Sequence, residues 1–314
     1  MRVTFEDSVR DERRSEIAGL LSELGLGEQP AGWRVSFLAG GACNENYTVE
    51  SDGGPKLVLR LAQLEVERFG FDRQKGADAH RSAAASGVAP ELVAIKLPEG
   101  HSLVRFVEGP ILDAERIREP GMLAAVGRTL RALHEGPRIE GTWSVFDDVR
   151  SYAATARAEG LQLPADFGEL MRRVDDVEGA FAHFGAPEGT CHNDLQLQNF
   201  IAGDDRLWVL DFEFAGRGNR YFDLGNTAVN AELAESELPE LVTAYFDGFD
   251  PAESARVQLM MFMAALREAL WAVIAEPVLE LDWDYEAWAA EYFRRSRVAS
   301  GGEAFARALT LARG

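Results

Sequence analysis

One β-rich island, residues 190–210, interrupts a chain that is otherwise helical in spacing beyond Gly109-Pro110. The island carries His192-Asn193-Asp194-Leu195-Gln196-Leu197-Gln198-Asn199, then an apolar run, then Leu210-Asp211-Phe212-Glu213. Polar clusters on both sides of a short apolar run predict a hairpin, with Asp194 and Asn199 on its entry loop and Asp211 at the end of the strand over 206–210. Such a hairpin brings two carboxylates and an amide to one end.

Upstream the pattern is different. A helix is expected over 11–24, where Gly25 and Gly27 supply a stop. Short β-rich runs follow at 33–39, 46–50 and 56–61, the last two joined by Ser51-Asp52-Gly53-Gly54-Pro55. A helix over 71–86, closed by Gly87 with Pro90 beyond it, and strands at 91–95 and 102–107 complete the region. The expected fold class is α+β: a small five-stranded antiparallel lobe with one helix, then a mainly helical lobe. Asp113, Asp147, Pro164-Ala165-Asp166 and Asp250-Pro251 are each placed to open a helix in that second lobe. The short crossing at Arg105-Phe106-Val107 divides the chain into residues 1–106 and 107–314. Two lobes joined in this way leave a cleft, the default place for a small-molecule site.

Composition narrows the partners. Of the 314 residues 46% are hydrophobic and 27% charged, globular averages that exclude a disordered or collagen-like chain. The longest apolar run, residues 259–266, is short of the roughly 20 residues that cross a bilayer. A formal charge of −20 repels nucleic acid and anionic membranes, so the expected partner is a small molecule, with no nucleic acid and no membrane insertion. Two cysteines without a C-x-x-C, and an N-terminus lacking the apolar core of a signal peptide, point to the cytoplasm. Other phosphate-loop, zinc-protease, esterase and dinucleotide signatures are absent from the sequence.

The chemistry sits in the island. Mg²⁺ takes hard oxygen ligands, usually one or two carboxylates together with substrate phosphates, and Asn199 and Asp211 are suited to that role. Asp194 then remains free of metal. Singly, each residue could serve only to stabilise a turn. Together and in order, H-N-D-x-x-x-x-N followed by D-F-E parallels the base, second metal ligand and principal metal ligand of kinases.

On these residues the sequence resembles the choline/ethanolamine kinase branch of the aminoglycoside phosphotransferase group, which shares the protein-kinase-like bilobal fold. Gly40-Gly41-Ala42-Cys43-Asn44-Glu45-Asn46-Tyr47 looks like the phosphate loop of that group, and Leu57-Val58-Leu59-Arg60 like its third strand, with arginine in place of lysine. Phe222-Asp223-Leu224-Gly225-Asn226 resembles the segment whose aspartate braces the catalytic loop, and Asp223 is read as structural. Arg267-Glu268-Ala269-Leu270-Trp271 through Leu281-Asp282-Trp283 and Tyr285 resembles the acceptor-pocket helices.

The resemblance implies ATP and Mg²⁺ as cofactors and a small amino alcohol, choline or ethanolamine in type, as phosphoryl acceptor. Asp194 is then the catalytic base, and Asn199 and Asp211 hold the metal. Gly40, Gly41, Ala42, Cys43 and Asn44 cover the phosphates, Arg60 contacts them, and Val58 roofs the adenine. Arg105, Phe106 and Val107 offer it backbone hydrogen bonds. Gln196, Glu213 and Trp271 face the acceptor.

The sequence also departs from that group. Gly76 stands where the helix carboxylate that orients the strand cation is expected, leaving Asp78 as an offset substitute and Arg60 loosely held. Phe214, Asn230, Ala275 and Cys43 replace the tyrosine, glutamate, glutamine and serine or threonine usual there, with Glu268 or Glu213 as replacement carboxylates. Two alternatives stay open: an aminoglycoside or other antibiotic as acceptor, and a nucleotide-binding pseudokinase.

Overall fold

The computed structural model describes residues 1–39, 44–62, 69–70, 72–279 and 283–313. Its N-terminal half is built on strands β1 (Val3–Phe5), β2 (Trp33–Leu38), β3 (Glu45–Glu50), β4 (Lys56–Leu61), β5 (Leu92–Lys96) and β6 (His101–Arg105), with helices α1 (Asp11–Glu23) and α2 (Arg73–Ala85). The strand order is β1-β2-β3-β4-β6-β5. Glu50 pairs with Lys56 across the predicted turn, where Gly53 takes a left-handed φ of 71° that suits glycine.

The sheet has six strands rather than the expected five, and it is mixed. Val3-Thr4-Phe5 runs parallel to β2, and a parallel neighbour needs a crossover, which α1 supplies. Three residues are too few to show a period, so the strand left no pattern to read. Among the described residues the sheet is accompanied by helices α1 and α2.

Alternation in β4 sorts its side chains. Leu57, Leu59 and Leu61 are buried in a core with Ile17, Leu20 and Leu21 of α1, while Val58 and Arg60 face the opposite side. Each leucine removed from water there contributes on the order of 1.5 to 3 kcal/mol. Asp72 caps α2 by accepting the Lys75 N–H at 2.9 Å, and Gly87 ends it with a φ of 72°.

Beyond β6 the chain crosses to a helical half: α3 (Met122–His134), α4 (Val145–Ala158), α5 (Phe167–Phe184), α6 (Arg220–Asn230), α7 (Leu238–Phe246), α8 (Pro251–Ala275), α9 (Tyr285–Ala299) and α10 (Gly302–Ala312). Asp113 opens only a 3-10 turn, Arg116–Arg118, because Gly121 intervenes before α3. Ser144 rather than Asp147 caps α4. Asp250 caps α8 as expected, accepting from Ala252 N–H at 2.8 Å. Helix α8 is apolar enough to cross a membrane by length and composition, yet 83% of its most apolar window is buried between its neighbours. A helix apolar on all sides is a core helix in this setting.

The island forms two small antiparallel pairs inside this half. Strand β7 (Glu188–Cys191) pairs with β10 (Gly216–Asn219), and β8 (Phe200–Ala202) with β9 (Leu207–Val209). Phe200 lies opposite Val209, which brings the residues before β8 and after β9 to one end of the hairpin.

Candidate active site

The loop that carries Asp194 is held by its backbone. Asp223, fully buried on α6, accepts the N–H of His192 at 2.7 Å and of Asn193 at 2.8 Å, and His134 Nε2 lies 2.9 Å from the same carboxylate. Burial works against the charge on Asp223, but the His134 hydrogen bond and these partners hold its carboxyl below the usual range. Asn226 accepts the Leu195 N–H, and Asn230 Nδ2 donates to Leu195 O at 3.1 Å. Helix α6 thus grips the loop at three successive turns. Asn230, with Tyr292 donating to its oxygen at 2.7 Å, is committed to this bracing.

His192 occupies one tautomer. Nδ1 accepts the Asp194 N–H at 3.2 Å, so Nε2 carries the proton that reaches Leu210 O at 2.7 Å. Burial lowers its pKa, consistent with a neutral ring that ties the loop to the strand before Asp211. Asn199 Nδ2 donates to Asp194 O at 2.9 Å, and Asn199 O accepts Leu210 N–H at 2.9 Å. Asn193 and Asp211 both adopt left-handed φ, 66° and 70°. Non-glycine residues enter this region at a cost and concentrate at functional sites.

These residues open onto a cleft of about 510 Å³ between the sheet and the helical half. Among the described residues, Asn44, Val58, Arg60, Arg105, Phe106, Val107, Asp194, Gln196, Asn199, Asp211, Glu213 and Trp271 all line it. Gly40, Gly41, Ala42 and Cys43, with Leu281 and Asp282, lie outside the described residues.

The cleft has two ends. At one, Leu38, Val58 and Val104 from the sheet face Ile201 and Leu210 across an apolar slot. Of the three expected backbone donors at its edge, two are used within the sheet: Arg105 N–H bonds Glu91 O at 2.9 Å and Phe106 N–H bonds Lys56 O at 3.0 Å. Val107 N–H has no backbone partner among the described residues. Arg60 sits beside the slot, with Nη2 2.8 Å from Asp211 Oδ1 and 3.1 Å from Glu213 Oε2.

Arg60 is therefore firmly held, contrary to expectation, and not by Asp78. Asp78 pairs with Arg81 at 3.0 Å on an exposed face. Glu213, expected to face the acceptor, lines the cleft with its carboxylate turned to the guanidiniums of Arg60 and Arg73.

At the other end stand Glu268 and Trp271 from α8, with Trp283, Tyr285 and Trp288 from the start of α9. Trp288 Nε1 donates to Glu268 Oε1 at 3.0 Å, and Trp283 meets Trp288 edge to face with ring centroids 5.1 Å apart. Burial raises the pKa of Glu268, opposed by Arg267 and the Trp288 hydrogen bond. Arg267 is itself buried, with Nε 3.0 Å from Asp148 Oδ2 and the Phe214 ring 4.4 Å away. Asp194 lies between the two ends. Burial, then Glu268, Asp211 and Glu213, push its carboxyl well above the usual range, while Arg267 opposes them.

Trp288 is absent from the sequence reading. Its signal was the spacing of Tyr285, Trp288 and Tyr292, one face of a helix opened by Asp284, which accepts the Ala287 N–H at 2.9 Å.

Comparison with known proteins places this architecture. Protein LicA of Haemophilus influenzae is 27% identical over 213 residues, which span 66% of this chain and 61% of LicA. Human ethanolamine kinase 1 is 20% identical over 335 aligned positions covering 94% of this chain and 74% of that one. Among solved structures, a choline/ethanolamine kinase family protein from Mesorhizobium loti superposes with a TM-score of 0.80 at 27% identity, covering 96% of this chain and 98% of its own. The profile of the phosphotransferase enzyme family matches residues 34–259, most of the sheet, the whole island and the start of α8. A kinase-like fold with the Asp194 loop clasped by α6 and a cleft above it thus makes this chain a member of the phosphotransferase enzyme family.

Proposed function

We propose that the protein transfers the γ-phosphoryl group of ATP, with Mg²⁺, to the hydroxyl of a small amine-bearing alcohol of the choline or ethanolamine type. The observation that carries this reading is the position of Asp194. It stands in one cleft between Asn199, Asp211 and Arg60 on one side and Glu268 within its aromatic wall on the other. Relatives named as ethanolamine and choline/ethanolamine kinases support the same class of acceptor.

The donor set fits a hard cation. Asn199 uses its Nδ2 on Asp194 O, which leaves Oδ1 as its acceptor, and Asp211 adds a carboxylate. Asn199 and Asp211 would hold Mg²⁺, which neutralises charge on the transferring phosphoryl group when bound. The remaining work falls to the protein. Leu38, Val58 and Val104 sandwich a flat apolar base against Ile201 and Leu210, Val107 N–H is the edge donor, and Arg60 meets phosphate charge.

Asp194 accepts the acceptor's hydroxyl proton. Burial, then Glu268, raises its pKa, and a cation at Asp211 and an ammonium at Glu268 would oppose the part that comes from those two carboxylates. Glu268 supplies the counter-charge that Asn230, spent on bracing, does not. The faces of Trp271, Trp283 and Trp288 add cation–π attraction of about 0.5 to 2 kcal/mol for each favourable contact. The acidic surface and paucity of cysteine fit work in the cytoplasm.

The test is Mg²⁺-dependent ADP release from ATP across choline, ethanolamine, neutral alcohols of similar size and aminoglycosides. The reading expects stimulation by amine-bearing small alcohols; stimulation by aminoglycosides alone transfers the function to antibiotic modification.

A further inference from the structure

At Gly76 the backbone of helix α2 lies directly against the backbone of the Asp211-Phe212-Glu213 segment. A Cβ added at Gly76 would stand 2.7 Å from Phe212 O and 3.7 Å from Glu213 Cα, and both are backbone atoms that cannot rotate away. The position where a helix carboxylate is expected is closed by packing. No glutamate fits there while α2 keeps its place.

Arg60 is held from another direction. Glu213 Oε2 lies 3.1 Å from Arg60 Nη2, and Glu213 Oε1 lies 3.5 Å from Arg73 Nη1. Arg73 is the first residue of α2, three before Gly76 and therefore on the same helix face. Its side chain is only 11% exposed. Room for it is made by Gly100, where a Cβ would fall 2.1 Å from Arg73 Nη1 and where φ is +86°. Gly100 thus makes room for a largely buried guanidinium that faces a carboxylate shared with Arg60, while Gly76 lets the helix approach the backbone that carries that carboxylate.

Resting on the nucleotide reading above, we infer that Arg73 is a positioning residue: through Glu213 it fixes Arg60 for the nucleotide phosphates, replacing the absent helix carboxylate with an ion pair of reversed polarity. The helix supplies the cation and the D-F-E segment the carboxylate. The reversal changes the charge of the site. A strand cation paired with a helix glutamate is neutral as a unit, whereas Arg60, Arg73 and Glu213 together keep one positive charge near the slot. Asp211 balances that charge in the free cleft, and the surplus is released toward phosphate when Asp211 is engaged by a metal ion.

The experiment compares wild type with Arg73→Gln, Arg73→Lys, Glu213→Gln, the Arg73→Gln/Glu213→Gln double variant and Asp78→Asn. Titration with Mg–ADP, steady-state KM for ATP and for the acceptor, and thermal midpoints are measured on each. Arg73→Gln is expected to weaken Mg–ADP binding and raise KM for ATP by about tenfold, the scale of one charge-assisted hydrogen bond, with acceptor KM unchanged. Arg73→Lys recovers part of the loss, the double variant is no weaker than Glu213→Gln by more than about twofold, and Asp78→Asn matches wild type. Arg73→Gln binding Mg–ADP as wild type does, or Asp78→Asn losing as much, overturns the inference while leaving the phosphotransferase reading intact. A wild-type protein that binds no Mg–ADP overturns that reading and this inference with it.

Discussion

Asp223 holds Asn193 in a left-handed conformation: Oδ1 accepts the Asn193 N–H at 2.8 Å, and φ at Asn193 is 66°. The backbone turn that follows places Asp194 at the cleft floor. Strain of about 1 to 3 kcal/mol at such a residue persists only where its surroundings over-determine it. Asp223 does so from a fully buried position on α6, with His134 behind it.

Replacing Asp223 by Asn leaves one amide oxygen where two carboxylate oxygens accept three donors. The expected cost is about 2 to 4 kcal/mol of stability, together with a fall in turnover, because the loop loses its charge-assisted clamps. Urea denaturation and kcat measured on one preparation check this. Full stability and full turnover in the variant would separate Asp223 from the loop.

Glu268→Gln is expected to raise KM for an amine-bearing acceptor by roughly tenfold or more, with KM for ATP unchanged, since a buried carboxylate facing a cation loses its charge but keeps its size. Trp271→Leu adds a loss of up to about thirtyfold through the ring face. Kinetics with a neutral alcohol of equal size supply the control, which Glu268→Gln leaves unaltered. An equal effect on charged and neutral acceptors would remove Glu268 from the cation site.

His80 offers a test of pH dependence. Its ring stacks on Phe212 with centroids 5.0 Å apart and its Nε2 lies 2.9 Å from Pro90 O. Burial lowers its pKa from 6.5 to about 4. A folded-state pKa below the unfolded one means that the contribution is complete above pH 6.5 and is lost as the pH falls through 4, on the order of 3 kcal/mol in all. In His80→Gln the uptake of protons on unfolding between these limits falls by about one. Denaturation free energies at pH 7 and pH 5 measure it; an unchanged slope would mean that His80 is not held neutral.

Much of this arrangement is legible in the amino-acid sequence. The β3–β4 hairpin follows from alternation around a turn of Asp and Gly, and Asp194, Asn199 and Asp211 follow from their order around one short strand. These are local patterns. What escaped depends on distant contacts. Glu213 reads as an acceptor residue until Arg73, 140 positions earlier, is seen beside it. Glu268 enters the sequence reading only as one of two replacement carboxylates, because it lies in a largely buried apolar helix where no periodicity marks the side that meets the cleft, and its partner Trp288 comes from the next helix. Strand β1 is too short for any period, and its place is set by α1 as a crossover.

Mg²⁺-dependent ADP release with ethanolamine or choline, by wild type and by Asp194→Asn, shows whether Asp194 takes the proton of an amine-bearing alcohol during phosphoryl transfer. Acceptor-stimulated release is expected from wild type, with a fall in turnover of about 10² to 10⁴ in the variant and Mg–ADP affinity kept within about threefold. Undiminished turnover in Asp194→Asn would contradict this role.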